Sequence, residues 1–418
     1  MRKENLPREY TDRMKKALGE EFDAFFAEYD KPAVKALRFN TRKVRPETIA
    51  KLIDEWSLTP VPWCKDAYYY EESETLRPGL SPYHDAGVFY IQEPSAMITA
   101  EKAEIEPDDI VLDLCAAPGG KSTQAAAKAK ILVSNEPIAK RARILSSNIE
   151  RMGFDNCIVC SAYPDELAAA FTGFFDKIIV DAPCSGEGMM RKDETAVSEW
   201  SEANVEACIE RQREVLEGAQ HMLKPGGRLI YSTCTFEKGE NEDQIAEFLK
   251  EYPEFRLTDE ETLYPHKIKG EGHFCAVLEK ADDTDSRIKP KREKCADLSA
   301  VSSYMKKQKL HVLRTGVEPG ESVTDKKGKT RYEPSHAEAL AGVFGSVEDN
   351  CLKLKSEDAA FSYLKGNVIE LDRLDEAEYE LCSDGGWLTV MYDGYPLGLG
   401  KLTGRTVKNH YPKGLRHL

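Results

Sequence analysis

Short apolar runs alternate with longer amphipathic stretches through the central part of this chain. The apolar runs span residues 110–114, 131–134, 157–160, 177–180 and 228–232, and helical patterns lie between several of them, notably at 140–152 and 206–223. Strands that are apolar throughout are buried on both faces, and their alternation with helices is typical of a parallel sheet covered on both sides. The chain is therefore predicted to contain a doubly wound, mostly parallel α/β core.

Length and composition indicate a globular protein with several domains. The 418 residues are 41% hydrophobic and 31% charged, and at about 150 residues per domain they predict roughly three domains. No apolar run approaches the ~20 residues of a membrane span, and the first residues lack the apolar segment of a signal peptide. We therefore expect a cytoplasmic protein that makes no membrane contacts.

The regions on either side of the predicted core are less regular. Before it, a helical stretch at 12–29 is followed by an extended segment at 35–41. Residues 273–278 predict a further strand at the edge of the sheet, and the polar, charged segment 281–294 is typical of a linker. After a small unit that ends near residue 345, residues 387–400 predict strands and turns of a compact β-rich unit.

Charge is unevenly distributed along the chain. The 58 Lys and Arg against 73 Asp and Glu give a net charge of −15, which argues against indiscriminate coating of a polyanion. Locally the balance reverses: residues 287–331 carry 13 basic and 5 acidic side chains, and residues 401–418 carry five basic side chains and no acidic one. Each basic stretch is compatible with a solvated surface or with contact to nucleic acid.

Eleven cysteines are scattered along the chain without a metal-binding pattern. The single C-x-x-C spacing, Cys157 to Cys160, lies in an apolar run and has no second pair at zinc-finger spacing. We therefore expect these two residues to be core cysteines of a buried strand, and we predict no metal site.

A glycine-containing turn follows the first strand of the predicted sheet. Residues 112–122 read LDLCAAPGGKS, which is neither a Walker loop nor a G-x-G-x-x-G fingerprint. Its glycines allow the backbone to approach a ligand at the start of the next helix. Glu136 ends the second strand, 17 residues after Gly119, where a carboxylate can accept hydrogen bonds from ribose hydroxyls. The pattern fits S-adenosylmethionine, which has a ribose and an adenine but no phosphate; the alternative is an ordinary turn.

Two cysteines follow two neighbouring strands of the predicted sheet. Cys184 lies in the sequence DAPCSGEG and Cys234 in YSTCT, 50 residues further on. Because the carboxyl ends of parallel strands meet at the ligand-binding edge, both thiols are predicted to face the cofactor. A thiolate that adds to a pyrimidine ring turns the neighbouring ring carbon into a nucleophile, which can then accept a methyl group. Asp181 and Lys121 are the candidates for tuning this chemistry, and residue types alone leave open which cysteine attacks.

These motifs resemble those of the NOL/NOP/Sun family of RNA cytosine-C5 methyltransferases. The three core segments are LDLCAAPGGKS, DAPCSGEGMMRKDE and YSTCTFEKGENED, and RFNT, YIQEPSAM and EGHF flank them. The segment PLGLGKLTGRTVKNHYPKGLR, at 396–416, is similar to the tail of a bacterial branch of the family that acts on 16S ribosomal RNA. The resemblance covers nearly the whole chain and implies a Rossmann-like core that methylates carbon 5 of cytosine.

The resemblance also implies roles for the site residues. Cys234 would be the nucleophile, Cys184 would assist product release, and Asp181 would contact the flipped cytosine. Lys121, a candidate from the residues themselves, remains the fourth expected catalytic residue. The implied cofactor contacts are Cys115, Ala116, Ala117, Pro118, Gly119, Gly120, Lys121, Glu136, Arg141 and Asp181. The adenine contact after the third strand is left open between Ser161 and Asp165.

Four domains follow from the resemblance, and two of them would bind RNA. They are an N-terminal RNA-binding subdomain at 1–95, the methyltransferase core at 96–280, a first C-terminal domain at 285–345 and a PUA-like β-rich RNA-binding domain at 352–418. In the last domain, an aromatic residue between basic and amide groups suits phosphate contact and base stacking. The residues expected to bind RNA are Lys401, Lys408, Asn409, Tyr411, Lys413 and Arg416.

The expected partner is 16S ribosomal RNA or the small ribosomal subunit, and the expected oligomeric state is a monomer. The same chemistry on tRNA or 23S ribosomal RNA is an alternative, because only the tail points to the small subunit. A non-catalytic RNA-binding assembly factor is a second alternative. The intact Cys184, Cys234, Asp181 and Lys121 argue against that reading.

Overall fold

An eight-stranded mixed sheet forms the centre of the computed structural model. The structure describes residues 3–282, 295, 297–324, 328–346 and 348–417. The strand order of the central sheet is β10-β11-β9-β8-β5-β6-β7-β12, in which β5 to β9 are parallel and the other three strands are antiparallel to their neighbours. The elements of this part are β5 (Ile110–Asp113), α6 (Gly120–Ala126), β6 (Ile131–Asn135), α7 (Ala139–Met152), β7 (Cys157–Ser161), α8 (Pro164–Ala170), β8 (Phe175–Asp181), α9 (Glu194–Glu199), α10 (Glu202–Met222), β9 (Leu223–Thr233), α11 (Glu242–Glu251), β10 (Phe255–Leu263), β11 (His273–Lys280), α12 (Leu298–Lys307) and β12 (His311–Thr315).

Alternate residues of the parallel strands enter two different cores. Leu112 and Ile178 belong to one hydrophobic cluster, whereas their neighbours Val111 and Ile179 belong to another. Helices α8, α10, α11 and α12 cover the first face of the sheet, and α6 and α7 cover the second. Since successive side chains of a strand point to opposite faces, strands that are apolar throughout are buried on both sides, as predicted. Cys157 and Cys160 are fully buried on β7, which confirms them as core cysteines.

A four-stranded antiparallel sheet precedes the central sheet, and a six-stranded sheet follows it. The first has the order β2-β3-β1-β4 and the last the order β16-β20-β19-β18-β15-β17; a hairpin of β13 and β14 lies between the central and the last sheet in sequence. The N-terminal elements are α1 (Arg8–Leu18), α2 (Phe22–Ala27), β1 (Ala36–Phe39), α3 (Pro46–Glu55), β2 (Thr59–Val61), β3 (Cys64–Tyr69), α4 (Pro82–Asp85), β4 (Phe89–Ile91) and α5 (Ile98–Lys102). The C-terminal elements are β13 (Glu321–Thr324), β14 (Thr330–Glu333), α13 (His336–Leu340), β15 (Cys351–Leu354), α14 (Glu357–Leu364), β16 (Ile369–Glu370), β17 (Tyr379–Cys382), β18 (Gly386–Tyr392), β19 (Tyr395–Thr403) and β20 (Thr406–Asn409).

The first and last sheets share one hydrophobic core. Leu37 of β1 and Leu388 of β18 belong to the same buried cluster. Polar contacts reinforce it: the Tyr395 hydroxyl accepts a hydrogen bond from the Arg45 backbone N–H at 3.0 Å and donates to Thr48 Oγ1 at 2.8 Å. The two ends of the chain are therefore packed together beside the central sheet.

Several predicted boundaries differ from the observed ones. The stretch at 12–29 forms two α-helices separated by a short 3₁₀ segment at Gly19, whose φ is +54°. The strand predicted at the sheet edge, β11, lies one position inside it, because β10 pairs with β11 on its outer side. The longest helix among the described residues is α10, with 21 residues. No helix in this part of the chain is both long and apolar enough to cross a bilayer.

The segment 298–315 is built into the central sheet, which differs from the separate domain predicted at 285–345. Strand β12 pairs with β7 and forms the edge of the sheet. Val301 and Met305 of α12 are fully buried in the same cluster as Leu112. Residues 283–294 of the predicted linker lie outside the described residues. The chain that follows returns to the core, because the apolar face of α12 is buried in the same cluster as residues of the central sheet.

Replacing Met305 tests this placement. We expect Met305→Ala to destabilise the central sheet by about 2–5 kcal/mol, because it leaves a cavity in the shared core. Hydrogen exchange of the β7 amides measures the effect, and their protection should fall. Ser303→Ala, at an exposed position of the same helix, is the control and should leave β7 unchanged. Unaltered β7 protection in Met305→Ala would contradict the placement.

Candidate active site

The two cysteines predicted to meet at the sheet edge lie next to each other. Cys184 follows β8 and Cys234 follows β9, and these strands are parallel neighbours in which Asp181 is paired with Ser232. The two sulfur atoms are 3.3 Å apart. This register brings two residues that are 50 positions apart in the sequence within hydrogen-bonding distance of each other.

The loops that carry the cysteines are tied directly to one another. The Gly188 N–H donates to the Cys234 carbonyl at 2.8 Å, and the hydroxyls of Ser185 and Thr235 are 2.8 Å apart. A Cβ at Gly188 would lie 2.9 Å from the Gly272 carbonyl oxygen and 3.1 Å from that of Cys234. Only glycine allows this close approach of the two backbones.

Glu240 is a buried carboxylate that the sequence reasoning did not single out. It accepts hydrogen bonds from the Ser185 N–H at 3.0 Å and hydroxyl at 2.5 Å, and from Gln212 Nε2 at 2.8 Å. Burial raises the pKa of Glu240. The signal was present in the motif YSTCTFEKGENED, whose second acidic side chain folds back onto the Cys184 loop.

Glu187 provides a second connection between the same two loops. It lies three residues after Cys184 and accepts a hydrogen bond from the Phe236 N–H at 3.0 Å. Its other oxygen is bound by Trp200 Nε1 at 2.9 Å and by the Arg13 guanidinium of α1. The N-terminal region therefore supports the cysteine loops through a buried ion pair.

Asp181 and Lys121 form an ion pair beside the cysteines. Lys121 Nζ is 2.8 Å from Asp181 Oδ2, and the Ser232 hydroxyl donates to Asp181 Oδ1 at 3.0 Å. Burial is the largest influence on the pKa of Asp181 and raises it, but the interactions with Lys121, His273 and Ser232 together outweigh burial, and the pKa lies below its usual value. Conversely, burial opposes the charge of Lys121, but Asp181 holds its pKa above the usual value. The pair therefore stays ionised at neutral pH.

His273, from the EGHF segment, is buried next to this pair. Its Nε2 lies 3.2 Å from Thr99 Oγ1 and 3.8 Å from Asp181 Oδ1. Burial, followed by repulsion from Lys121, lowers the pKa of His273 to about 3. The imidazole is therefore neutral, and Lys121 supplies the positive charge that balances Asp181.

The thiol of Cys184 is strongly held in its protonated form. Its hydrogen bond to Cys234 and its burial raise the pKa of Cys184 well above the usual value, and the nearby Glu240 carboxylate adds to the effect. The Lys121 ammonium also interacts electrostatically with Cys234. The surroundings of the two sulfurs are therefore different, although they lie in contact.

The turn after β5 has the open backbone geometry expected of a ligand loop. Gly119 has φ +116°, a conformation that other residues rarely adopt. The loop is anchored from α7, because Arg141 Nη2 donates to the Ala117 carbonyl at 3.0 Å and Asn148 Nδ2 donates to the Pro118 carbonyl at 2.9 Å. The predicted cofactor contacts at 115–121 thus lie in one loop, and Arg141, another predicted contact, is hydrogen-bonded to that loop.

Carboxylates at the ends of β5 and β6 supply acceptors beside this loop. Glu136 is buried, with one oxygen 3.2 Å from Arg141 Nη1 and the other accepting from the Ile138 N–H at 3.0 Å. Asp113 is fully buried; the Ser122 hydroxyl donates to its Oδ2 at 2.6 Å, and its Oδ1 has no hydrogen-bond partner among the described residues. Burial raises the pKa of Asp113 to about 7. Acceptors at β6 with an open glycine loop fit the ribose and amino-acid groups of S-adenosylmethionine.

The region after β7 contains the two residues left open as adenine contacts. The Ser161 hydroxyl donates to the Pro137 carbonyl at 3.2 Å, and Asp165 is exposed in the first turn of α8. Two apolar side chains that the sequence reasoning missed are exposed nearby in sequence, Ile138 at 54% and Tyr163 at 64%. Large exposed apolar groups after β6 and β7 are the signal that could have identified them.

Two of the six residues predicted to bind RNA have structural roles instead. Tyr411 is only 4% exposed, and its hydroxyl lies 3.0 Å from Asp85 Oδ1. Asn409 Nδ2 donates to the carbonyls of Tyr363 and Asn367, at 2.7 and 3.0 Å. The predicted stacking of a base on Tyr411 is therefore wrong, because its buried ring packs against His336 and Tyr363.

The remaining predicted RNA contacts lie nearer the surface. Lys401 and Lys408 are a cross-strand pair of β19 and β20, and Lys401 Nζ lies 5.0 Å from the centre of the Trp387 ring. Lys413 is exposed, whereas Arg416 is half-buried, with its guanidinium 3.4 Å from the Tyr411 carbonyl. Trp387, which the sequence reasoning assigned only to a strand, is the partly exposed aromatic side chain of this group.

Removing the ammonium of the ion pair tests its electrostatic role. In Lys121→Met we expect the pKa of Asp181 to rise, because the strongest interaction that opposes the effect of burial is lost and only those with His273 and Ser232 remain. The carboxylate would therefore take up a proton at higher pH than in the unmodified protein. Carboxyl ¹³C NMR of Asp181 across a pH titration measures the shift. Lys128→Met, which removes a partly exposed ion pair with Glu101, should leave the Asp181 titration unchanged; an unshifted Asp181 in Lys121→Met would contradict the account.

Models of three protein families match successive parts of the chain. The description "16S rRNA methyltransferase RsmB/F" matches residues 101–292. The N-terminal domain of 16S rRNA methyltransferase RsmF matches residues 6–94, and the methyltransferase RsmF PUA domain matches residues 350–417.

Similar proteins are found along nearly the full length. Ribosomal RNA small subunit methyltransferase F of Pectobacterium carotovorum subsp. carotovorum (strain PC1) is 37% identical, covering 98% of this chain and 96% of the relative. The protein of the same name from Enterobacter sp. (strain 638) is 32% identical with the same coverage, 98% and 96%. Among solved structures, a methyltransferase homolog protein from Pyrococcus horikoshii has a TM-score of 0.58 and 27% identity, covering 64% of this chain and 93% of the other.

These matches agree with the architecture and with the loop after β5. They confirm the predicted α/β methyltransferase core, with an N-terminal domain and a C-terminal PUA domain, and with it the predicted cofactor, S-adenosylmethionine. The chain is an RNA methyltransferase and belongs to the 16S rRNA methyltransferase RsmB/F family.

Proposed function

We propose that this protein transfers a methyl group from S-adenosylmethionine to carbon 5 of cytosine in 16S ribosomal RNA, through a covalent adduct with Cys234. The observation that carries the proposal is the 3.3 Å contact between the sulfur atoms of Cys184 and Cys234 at the cofactor edge of the sheet. A single methyl transfer to an already nucleophilic atom needs no thiol. Two adjacent thiols suit a reaction in which a carbon–sulfur bond is first formed and then broken.

Cys234 is the nucleophile in this proposal. Its sulfur would form a bond to carbon 6 of the cytosine ring, and the ring electrons would make carbon 5 nucleophilic. The choice of Cys234 over Cys184 rests on the family resemblance, in which the cysteine of the Thr-Cys motif attacks as its thiolate.

Asp181 would bind the target base beside the nucleophile. It follows β8 directly, is held by Ser232 at 3.0 Å, and remains half-exposed towards the site. A carboxylate at this position can accept a hydrogen bond from the cytosine amino group and help the ring take up a proton as the adduct forms. The base must leave its stack to reach the two sulfurs.

The bound cofactor supplies a methyl group on a positively charged sulfur. Glu136 would accept hydrogen bonds from the ribose, the loop from Cys115 to Lys121 would hold the amino-acid end, and Arg141 would keep both in place through its contacts with Glu136 and Ala117. For the adenine, Ile138 and Tyr163 are added to Ser161 and Asp165 as candidates, because both present exposed apolar surface.

Cys184 would assist release after methyl transfer. Carbon 5 then carries both the new methyl group and its original hydrogen; loss of that proton restores the ring and expels the Cys234 sulfur. Cys184 lies against Cys234 and is therefore within reach of the adduct. Its loop is held by Glu240 through Ser185, so the thiol keeps its position during the reaction.

Ribosomal RNA as substrate is supported by the names of the relatives, which are small-subunit RNA methyltransferases. Residues 1–95 and 352–418 would contact the RNA around the target, with Lys401, Lys408, Lys413 and Arg416 as phosphate contacts and Trp387 in place of Tyr411 as the aromatic surface. The loops of Cys184 and Cys234 are hydrogen-bonded to each other, and Asp181 and Lys121 form an ionised pair beside them. Both features favour catalysis over a purely RNA-binding role.

The covalent step can be tested by blocking release. With 16S ribosomal RNA and S-adenosylmethionine, Cys184→Ala should accumulate a protein–RNA adduct that survives denaturing electrophoresis, because the carbon–sulfur bond forms but is not broken efficiently. The species expected to accumulate is the methylated adduct, which needs both substrates. The band should therefore be absent when either the cofactor or the RNA is left out.

The matched control is the double variant Cys184→Ala/Cys234→Ala, which retains the fold but has no nucleophile. It should give no adduct, and Cys234→Ala alone should abolish methyl transfer while keeping cofactor affinity within a few-fold. An adduct that persists in the double variant, or full turnover by Cys234→Ala, would overturn the assignment of Cys234.

A further inference from the structure

A cationic cavity lies between the N-terminal region and the C-terminal sheet, at residues that the proposed reaction does not use. Its volume is about 310 Å³. It is lined by side chains from α3 and the residue before it, from β15 and the residue after it, and from the turn between β18 and β19. The lining residues are Arg45, Lys51, Lys353, Leu354, Lys355, Tyr392, Asp393 and Gly394.

Four cations face one carboxylate in this lining. Asp393 is already bound, because the Tyr83 hydroxyl donates to its Oδ2 at 2.6 Å and Lys51 Nζ lies 3.3 Å from the same atom. Lys353 is paired with Glu380 at 2.7 Å. Arg45 and Lys355 form no salt bridge with any residue that the structure describes, so their charges remain available to an anion.

Acidic side chains act on the cations of both sides of the cavity: Glu357 on Lys51, Asp393 and Glu47 on Arg45, and Glu380 on Lys353 and Lys355. Glu357 interacts electrostatically with both Lys51 and Glu55. These carboxylates reduce the positive charge around Lys51. Arg45 and Lys355 also have carboxylates nearby, but they form no salt bridge with a described residue, so they are the cations best able to bind an anion. They come from the two different ends of the chain.

Contacts between the two ends of the chain fix the position of the Arg45 side chain in the wall of the cavity. Arg45 donates through Nη2 to the Asp393 carbonyl at 2.8 Å, and its guanidinium lies 5.2 Å from the centre of the Tyr395 ring. The Gly394 turn approaches it so closely that a Cβ there would be 3.0 Å from Arg45 Nη2. A planar guanidinium held in this way keeps some of its N–H donors free to bind a tetrahedral oxyanion.

We propose that this cavity binds a phosphate group of the RNA backbone, with Arg45 and Lys355 as its principal ligands. The RNA assignment rests on the proposed function, whereas the phosphate chemistry rests on the cavity alone. Because its ligands come from both ends of the chain, the site can bind only when the N-terminal and C-terminal parts are packed together. It would thus hold the RNA at a point separate from Cys234 and add affinity without adding to catalysis.

The test is RNA binding by the full chain over a series of salt concentrations. Lys355→Gln and Arg45→Gln should each weaken binding to 16S ribosomal RNA by at least about threefold and reduce the salt dependence by about one phosphate contact. Lys355 is exposed and unbridged, so Lys355→Gln tests the site even if Arg45→Gln loosens the packing. Lys365→Gln, an exposed lysine of the same domain outside the cavity, is the control and should change neither quantity.

Methyl transfer at saturating RNA separates this inference from the proposed function. The turnover of Lys355→Gln should equal that of the unmodified protein, with only the RNA concentration for half-maximal rate increased. Unchanged binding and salt dependence in both variants would overturn the assignment of the cavity to RNA even if cytosine is methylated. Weakened binding in the variants would support it even if no methyl group reaches cytosine.

Inorganic phosphate distinguishes the source of the anion. Inorganic phosphate would be titrated into the protein with selectively ¹⁵N-labelled lysine, and NMR would follow the Lys355 signal, assigned with Lys355→Gln. We expect phosphate to shift this signal, and RNA to shift it at a much lower concentration. Shifts with inorganic phosphate but no effect of the variants on RNA binding would mean that the cavity takes a small anion, and the RNA assignment would be wrong.

Discussion

The parallel pairing of β8 with β9 is the constraint on which the proposed site depends. It sets Asp181 opposite Ser232 and so brings the loops after the two strands to the same point of the sheet edge. The 3.3 Å contact between Cys184 and Cys234 follows from that register. A shift of one residue would turn the side chains of one strand to the opposite face and separate the two sulfurs. The buried Glu240 and Glu187 then hold the loops in this arrangement, each through a contact that crosses from one loop to the other.

Charge balance in the site is achieved by one ion pair. Asp181 is flanked by a neutral imidazole, a hydroxyl and the Lys121 ammonium, so its negative charge depends chiefly on a single partner. Removing one member of such a pair leaves an uncompensated charge, which costs far more than the pair itself contributes to stability. Lys121 lies in the first turn after the Gly119 loop, so the segment that surrounds the cofactor also sets the charge of the residue proposed to bind the base.

Much of this arrangement could be predicted from the sequence, because it depends on local patterns. Continuous apolar runs identify β5 to β9, and the loops after them contain Cys184, Cys234 and Glu136. Long-range packing was not predictable in the same way. The burial of Tyr411 depends on Asp85, more than 300 residues earlier in the chain, and the return of β12 to β7 depends on which edge of the sheet is open. Glu240 stands in a motif that the sequence analysis quoted, but its role was missed because its partner, Ser185, lies in another loop 55 residues away.

The most direct test of the account is the position of the transferred methyl group. The unmodified protein would be incubated with S-adenosylmethionine labelled in the methyl group and, separately, with 16S ribosomal RNA, small subunits, tRNA and 23S ribosomal RNA, and the labelled nucleotide would be mapped. The account predicts label on carbon 5 of one or a few cytosines of 16S ribosomal RNA, free or in the small subunit. Label on another atom or base would contradict the proposed Cys234 chemistry, and label confined to tRNA or 23S ribosomal RNA would contradict the proposed substrate.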